Sequence, residues 1–182
     1  MLKGEKVYLA AIEKEDLPLL MKWRNNPQYR KCFREYREIN SDMQLSWYNN
    51  KVLNDPSTIM FSIKSIENDT LLGACGLCYI NWVHRNADLS LYIGWNESYI
   101  DNQGFAKDSC SLLFDYGFKE LGLNKIWTEI YEFDKQKYEL YHSFNFHDDG
   151  LLREQYFYDG KWWNSHIMSL LSNEYLKNTN VN

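Results

Sequence analysis

A short turn, Asn102-Gln103-Gly104-Phe105-Ala106, stands between an apolar strand-like run and a long helical pattern. Free N–H groups at a helix start attract anions, because the helix dipole adds positive potential and a glycine lets a phosphate come close to the backbone. The chemistry on offer there is diphosphate binding, although one glycine before a helix also fits an ordinary turn. A second group suits proton transfer. Glu129 shares a strand face with Trp127 and Tyr131, opposite the apolar Ile126 and Ile130. A carboxylate on that face can overlook a cleft and take a proton directly or through water, and a solvated sheet-face glutamate is the competing reading. His84 and His142 have a suitable intrinsic pKa and stand in reserve as bases, each against a purely structural reading. Cys32, Cys75, Cys78 and Cys110 include one C-x-x-C spacing. No second Cys or His pair stands at zinc-site spacing, so no metal is expected.

Such groups need a frame to hold them. A strand over residues 6–11 leads into a helix over 13–25, with Leu17, Leu20 and Met21 at helical spacing and Asn25-Asn26-Pro27 as its end. A second helix over 41–53 carries Leu45, Trp47 and Tyr48, and the Asp55-Pro56-Ser57 turn opens a strand over 59–63. Strands follow over 71–80 and 88–93. The latter alternates Leu89, Leu91 and Ile93 with Asp88, Ser90 and Tyr92, as a half-buried strand does. The amphipathic helix over 104–121 is closed by Gly122. A strand over 125–131, a helix from Asp134 to about residue 144, and two strands over 150–171 around Asp159-Gly160 complete the chain. Several strands, then helix, strand, helix and hairpin, indicate one mixed α/β domain over residues 1–177, with 178–182 as a flexible tail.

This order carries a resemblance. The turn at 102–106, the following helix and strand, and the run Asp134-Lys135-Gln136-Lys137-Tyr138-Glu139-Leu140-Tyr141-His142-Ser143-Phe144-Asn145-Phe146 resemble the GNAT acetyltransferases. Their pattern is a pyrophosphate turn R/Q-x-x-G-x-G/A followed by an N-x-x-A-x-x-L-Y-x-x-x-G-F helix. Trp23-Arg24-Asn25 looks like the acceptor-side first helix of the branch that contains ribosomal-protein N-terminal and nucleotide-linked amino-sugar acetyltransferases. The passage from Ile80 to Asp88 and the ending Tyr158-Asp159-Gly160-Lys161-Trp162 also look like the polyamine acetyltransferases. The chain departs from the family at Asp101, Asn102, Asp134 and Asn145. An aspartate beside a diphosphate is unfavourable, and Asp134 can cap a helix but cannot donate the amide hydrogens of an asparagine.

The resemblance implies an α+β fold: a mixed, mostly antiparallel sheet flanked by helices, with splayed strands forming an acetyl-CoA cleft. It implies transfer of an acetyl group from acetyl-CoA to a primary amine. In it, Tyr141 protonates the sulfur, and a phenol near about pH 10 is a fitting acid for a thiolate. Glu129 is the candidate base. Tyr92, Ile93, Asn102, Gln103, Gly104, Phe105, Ala106, Asp134 and Lys137 would hold the cofactor, with the oxyanion donor a backbone N–H near Tyr92 or Ile93. Trp23, Arg24, Trp47 and His84 would line the acceptor pocket. A nucleotide-linked amino sugar leads as acceptor, with Arg24 on a phosphate. Polyamine and ribosomal-protein N-terminal acetylation follow, and a noncatalytic acyl-CoA-binding module is the alternative of another class.

Composition bounds these readings. With 182 residues, 45% of them hydrophobic and 16% aromatic, the chain can bury one core. A net charge of -5 without a basic stripe argues against nucleic acid. No apolar stretch reaches membrane-spanning length and no signal-peptide pattern opens the sequence, so a cytoplasmic protein is expected, with a small-molecule acceptor and, if it associates, a homodimer.

Overall fold

The computed structural model describes residues 1–179. Its strands are β1 (Leu2–Lys3), β2 (Val7–Ala11), β3 (Ile59–Ser65), β4 (Leu71–Asn81), β5 (Asn86–Ile93), β6 (Lys125–Tyr131), β7 (His147–Tyr158) and β8 (Lys161–Leu171). Its helices are α1 (Leu17–Asn25), α2 (Pro27–Arg30), α3 (Ser41–Trp47), α4 (Phe105–Asp115), α5 (Lys135–His142) and α6 (Ser172–Thr179). The strands form one sheet in the order β1-β2-β3-β4-β5-β6-β8-β7, antiparallel throughout except between β5 and β6.

That one parallel junction positions the site. The two strands pair only over Asn86–Lys125, Ala87–Ile126 and Asp88–Trp127, then part. Beyond Asp88 the sheet forks, and the facing edges of β5 and β6 are left open, which is the splay the sequence could only anticipate by resemblance. Gly94 donates its N–H to Leu72 O (2.8 Å) on β4. By antiparallel alternation Tyr92 and Ser90 bond the same way, so the peptide groups of Leu91 and Leu89 point into the fork.

The central strands are covered on both faces, whereas the edge strand β7 is exposed along most of its length. On one, α4 and α5 bury Ala106, Cys110, Leu113, Phe114 and Tyr141 against Leu89, Leu91, Ile93 and Ile126. On the other, α1 and α2 cover Ala74 and Tyr92 with Leu20, Trp23 and Tyr29. The alternation in β5 therefore does not mark a solvated face. Asp88 and Tyr92, expected on the polar side, are each 4% exposed because this second helical layer lies over them.

Local chemistry follows the sequence closely. Gly122 takes the left-handed conformation (φ 65°) after the wide turn Tyr116–Glu120, and Asp159 and Gly160 (φ 52° and 75°) close the β7–β8 hairpin. The helix expected over 41–53 splits into α3 and a wider-pitched stretch Tyr48–Leu53. The C-terminal reading needs correction. Residues 172–179 form α6, whose Tyr175 packs on Phe114 and Phe118 (ring centroids 5.9 and 5.3 Å), so 178 and 179 belong to a helix. The rest of the expected tail lies outside the described residues. No described helix is long and apolar enough to cross a membrane.

Candidate active site

At the fork, a cavity of about 280 Å³ opens on the face covered by α1 to α3. Its walls come from β5 (Asp88, Ser90), β6 (Thr128, Glu129, Tyr131), α1 (Arg24), α3 (Trp47), α5 (Lys137) and the connection 31–40 (Phe33, Arg34, Glu35). The connection is pinned by Asn25, whose side-chain amide donates to Ile39 O and accepts from Ile39 N, both at 2.7 Å. Asn25 thus does its work by holding a loop.

Arg34 reaches from this loop to the apex of the fork. Its guanidinium hydrogen-bonds Asp88 and lies 3.7 Å from Glu129, bridging the two strands just where they separate. Asp88 is buried, and its second carboxylate oxygen has no partner among the described residues. Burial raises its pKa, and Arg34 opposes that rise. Glu35 is held down to about 2 by hydrogen bonds from Arg37. A bulge at Cys78–Asn81 sets Tyr79 at φ 50° and turns it toward the same cavity.

Tyr141 lies on the other side of the fork, fully buried and stacked at 5.4 Å on Phe146, and its hydroxyl has no hydrogen-bond partner among the described residues. Burial, reinforced by Cys110, Asp134 and Asp88, pushes this phenol well above its ordinary pKa, so it holds its proton. A buried hydroxyl without a partner is costly in a finished core and is what an incoming ligand atom would satisfy.

The turn before α4 has the geometry of an anion cradle. Gly104 is left-handed (φ 92°), and a Cβ there would meet the Lys6 Nζ at 3.2 Å. The cradle is not free. Asp101 accepts from Phe105 N (2.9 Å) and Ala106 N (2.7 Å), covering the amides assigned to a diphosphate. Asn102 and Gln103 are exposed, and Gln103 O accepts from Lys6 Nζ at 2.5 Å.

Other expected positions shift. Ile93 donates its N–H to Tyr99 O (2.8 Å), and Tyr92 points its own toward β4, so neither amide faces the fork as an oxyanion donor; the register turns that of Leu91 there instead. Asp134 accepts from Tyr99 Oη (2.5 Å) and Lys137 N (3.2 Å), so both its oxygens are engaged within the protein. Lys137 lines the cavity at the fork rather than the turn before α4, its ammonium 5.1 Å from the Tyr99 ring and 5.6 Å from Phe33. Arg24 and Trp47 line the cavity. Trp23 and His84 do not: Trp23 packs on Gly94, and His84 is exposed on the β4–β5 turn. His142 lies 3.4 Å from Asp148, at the far end of α5 from the cavity. Sequence reasoning missed Arg34, Asp88 and Tyr79. Of these only Asp88 had a signal, as an acidic residue on the face shared by a fork-lining strand.

Residues 6–146 match the family model described as the acetyltransferase (GNAT) domain. A spermidine N(1)-acetyltransferase of Vibrio cholerae is 26% identical over 173 residues, spanning 95% of this chain and 97% of the relative. An uncharacterized N-acetyltransferase of Bacillus licheniformis is 27% identical, spanning 94% and 96%. The solved structure of the spermidine N-acetyltransferase from Vibrio cholerae in complex with CoA and spermine has a TM-score of 0.85 at 26% identity, covering 93% of this chain and 98% of that one.

Proposed function

Since the chain belongs to the GNAT acetyltransferase family and is an acetyl-CoA-dependent N-acetyltransferase, we propose that its acceptor is a polyamine, bound in the cavity at the fork with its reacting nitrogen beside Glu129. The observation that carries this reading is the pair of carboxylates at the apex, Asp88 and Glu129, already engaged with a cation. The relatives named for spermidine acetylation support polyamines over the amino-sugar acceptor that the first helix favoured.

The residues fit acetyl-CoA at its thioester end through Tyr141, whose buried hydroxyl has no partner among the described residues and whose ring belongs to the same core cluster as Leu89, Leu91 and Ile126. Acetyl-CoA supplies the acetyl group activated as a thioester. Glu129 takes the proton that the acceptor nitrogen gives up, since only a neutral amine has a lone pair for attack. Leu91 N–H is the backbone donor aimed into the fork for developing oxyanion charge. Tyr141 keeps a proton at Oη for the departing sulfur. Burial shields Tyr141 from water on its side of the fork.

Steady-state CoA release with spermidine, spermine, a nucleotide-linked amino sugar and a basic N-terminal peptide tests the reading. Turnover on the polyamines, falling about 100-fold in Tyr141→Phe with acetyl-CoA affinity unchanged, is expected. Turnover on the amino sugar alone would select a second reading, an acceptor with an anionic group beside its amine. That reading is favoured by Arg24, which lines the cavity, lies 4.3 Å over Phe33 and has a buried Nε without a partner among the described residues.

A further inference from the structure

Arg34 has the surroundings that an acceptor's ammonium group would seek. Two carboxylates, Asp88 and Glu129, approach it from the diverging strands. Two aromatic rings complete the shell, Tyr79 at 5.7 Å and Trp127 at 6.0 Å from the guanidinium carbon, within the range of cation–π attraction. The acidic half of this arrangement is built into the sheet, whereas the cation hangs from the connection 31–40 with its side chain 44% exposed. Asp88 also keeps one buried oxygen without a partner among the described residues, which the planar guanidinium leaves unused.

We infer that Arg34 is an internal stand-in for the acceptor cation, and that Asp88, Glu129, Tyr79 and Trp127 form the acceptor's ammonium subsite, which opens when Arg34 is displaced. The inference rests on the polyamine reading and specifies the site that reading requires. The physical reason for a stand-in is charge balance. Two carboxylates at a half-buried fork are costly without a counter-charge, and exchanging one cation for another keeps the pair compensated at every stage. Displacement also passes Glu129 from the guanidinium to the acceptor's own ammonium, the group whose proton it takes. A neutral amine-free analogue cannot make the exchange, so the device selects for cationic acceptors. Its cost is affinity: an acceptor competes with a tethered group, and its apparent dissociation constant rises by the inverse of the fraction of molecules with Arg34 withdrawn.

The test is calorimetric titration of spermidine into the wild type, R34Q and D88N, together with KM and kcat for spermidine. In R34Q spermidine should bind about tenfold more tightly and KM should fall in step, if the wild type is open roughly a tenth of the time. In D88N binding should be lost. If R34Q fails to fold because Asp88 is left unpaired, R34K keeps a counter-charge with a single ammonium and should show a smaller rise in affinity, about threefold, with its fold checked by thermal unfolding. Wild-type turnover on spermidine with unchanged or weaker binding in R34Q, or R34K, would overturn the inference and leave the polyamine reading standing. Tighter binding by R34Q with no spermidine turnover by any form, the wild type included, would uphold the subsite and overturn the polyamine acceptor. No binding by any form would overturn both.

Discussion

At the scale of single residues, the site is a set of charges placed where burial makes them matter. Asp101 is the clearest case. Its carboxylate sits on the Phe105 and Ala106 amides, so a diphosphate arriving there must displace a like charge. A unit charge at about 4 Å in high dielectric contributes about 1 kcal/mol. Asp101→Asn removes that charge and, with one acceptor oxygen in place of two, can hold only one of the two amides; it should therefore tighten acetyl-CoA binding about fivefold by calorimetry, and equal or weaker binding would show that the carboxylate does not oppose the cofactor. Lys137 gives a prediction with a pH sign. Burial lowers its pKa, so its folded value lies below the unfolded value of about 10.4. A depressed pKa adds stability that is full above the unfolded value and is lost as pH falls through the folded one. Lys137→Met should accordingly be more stable at pH 7, by about 1 kcal/mol, and should lose the wild type's gain in stability on going to pH 10. Urea denaturation at the two pH values measures both.

At the scale of elements, the fork exists because β5 and β6 are joined by a crossover helix rather than a hairpin, and pair over three rungs only. What lies beyond the fork is held by close packing at the end of β5. A Cβ on Gly94 would come within 1.8 Å of the Trp23 ring, so α1 can approach the strand end only over a bare backbone. Gly94→Ala should destabilise the fold by about 1–3 kcal/mol and lower the urea midpoint. An unchanged midpoint would mean that Trp23 has room to move. The loop 31–40 is the counterpart on the cavity side, tied at one end through Asn25 and presenting Arg34 across the cavity.

At the scale of the whole molecule, the two helical layers lie on opposite sides of the fork, with Tyr141 of α5 buried in one and the cavity opening under α1 to α3 in the other. The C-terminal helix secures the first layer through Tyr175 on Phe114 and Phe118. Deleting residues 172–182 should cost about 3 kcal/mol, as for loss of a large buried aromatic, and lower Tm by roughly 10 °C; a Tm within a degree or two of the full chain would place α6 outside the cooperative core. The sequence by itself determined the central strands, the helices α1, α4 and α5, the Gly122 and Asp134 ends and the shared face of Trp127, Glu129 and Tyr131, because periodicity and turn chemistry are local, whereas α2 and α6 were not legible in it. It also carried the family resemblance at the α4 turn and along α5, since those motifs are contiguous. Only the tertiary structure decided that Asp88 is buried, that Asp101 and Asp134 are turned inward, and that Trp23 and His84 stand away from the cavity. These depend on which face a second layer covers. Arg34 meeting Asp88 and Glu129 depends on strands 54 and 95 residues away along the chain, a relation that no spacing within one segment can encode.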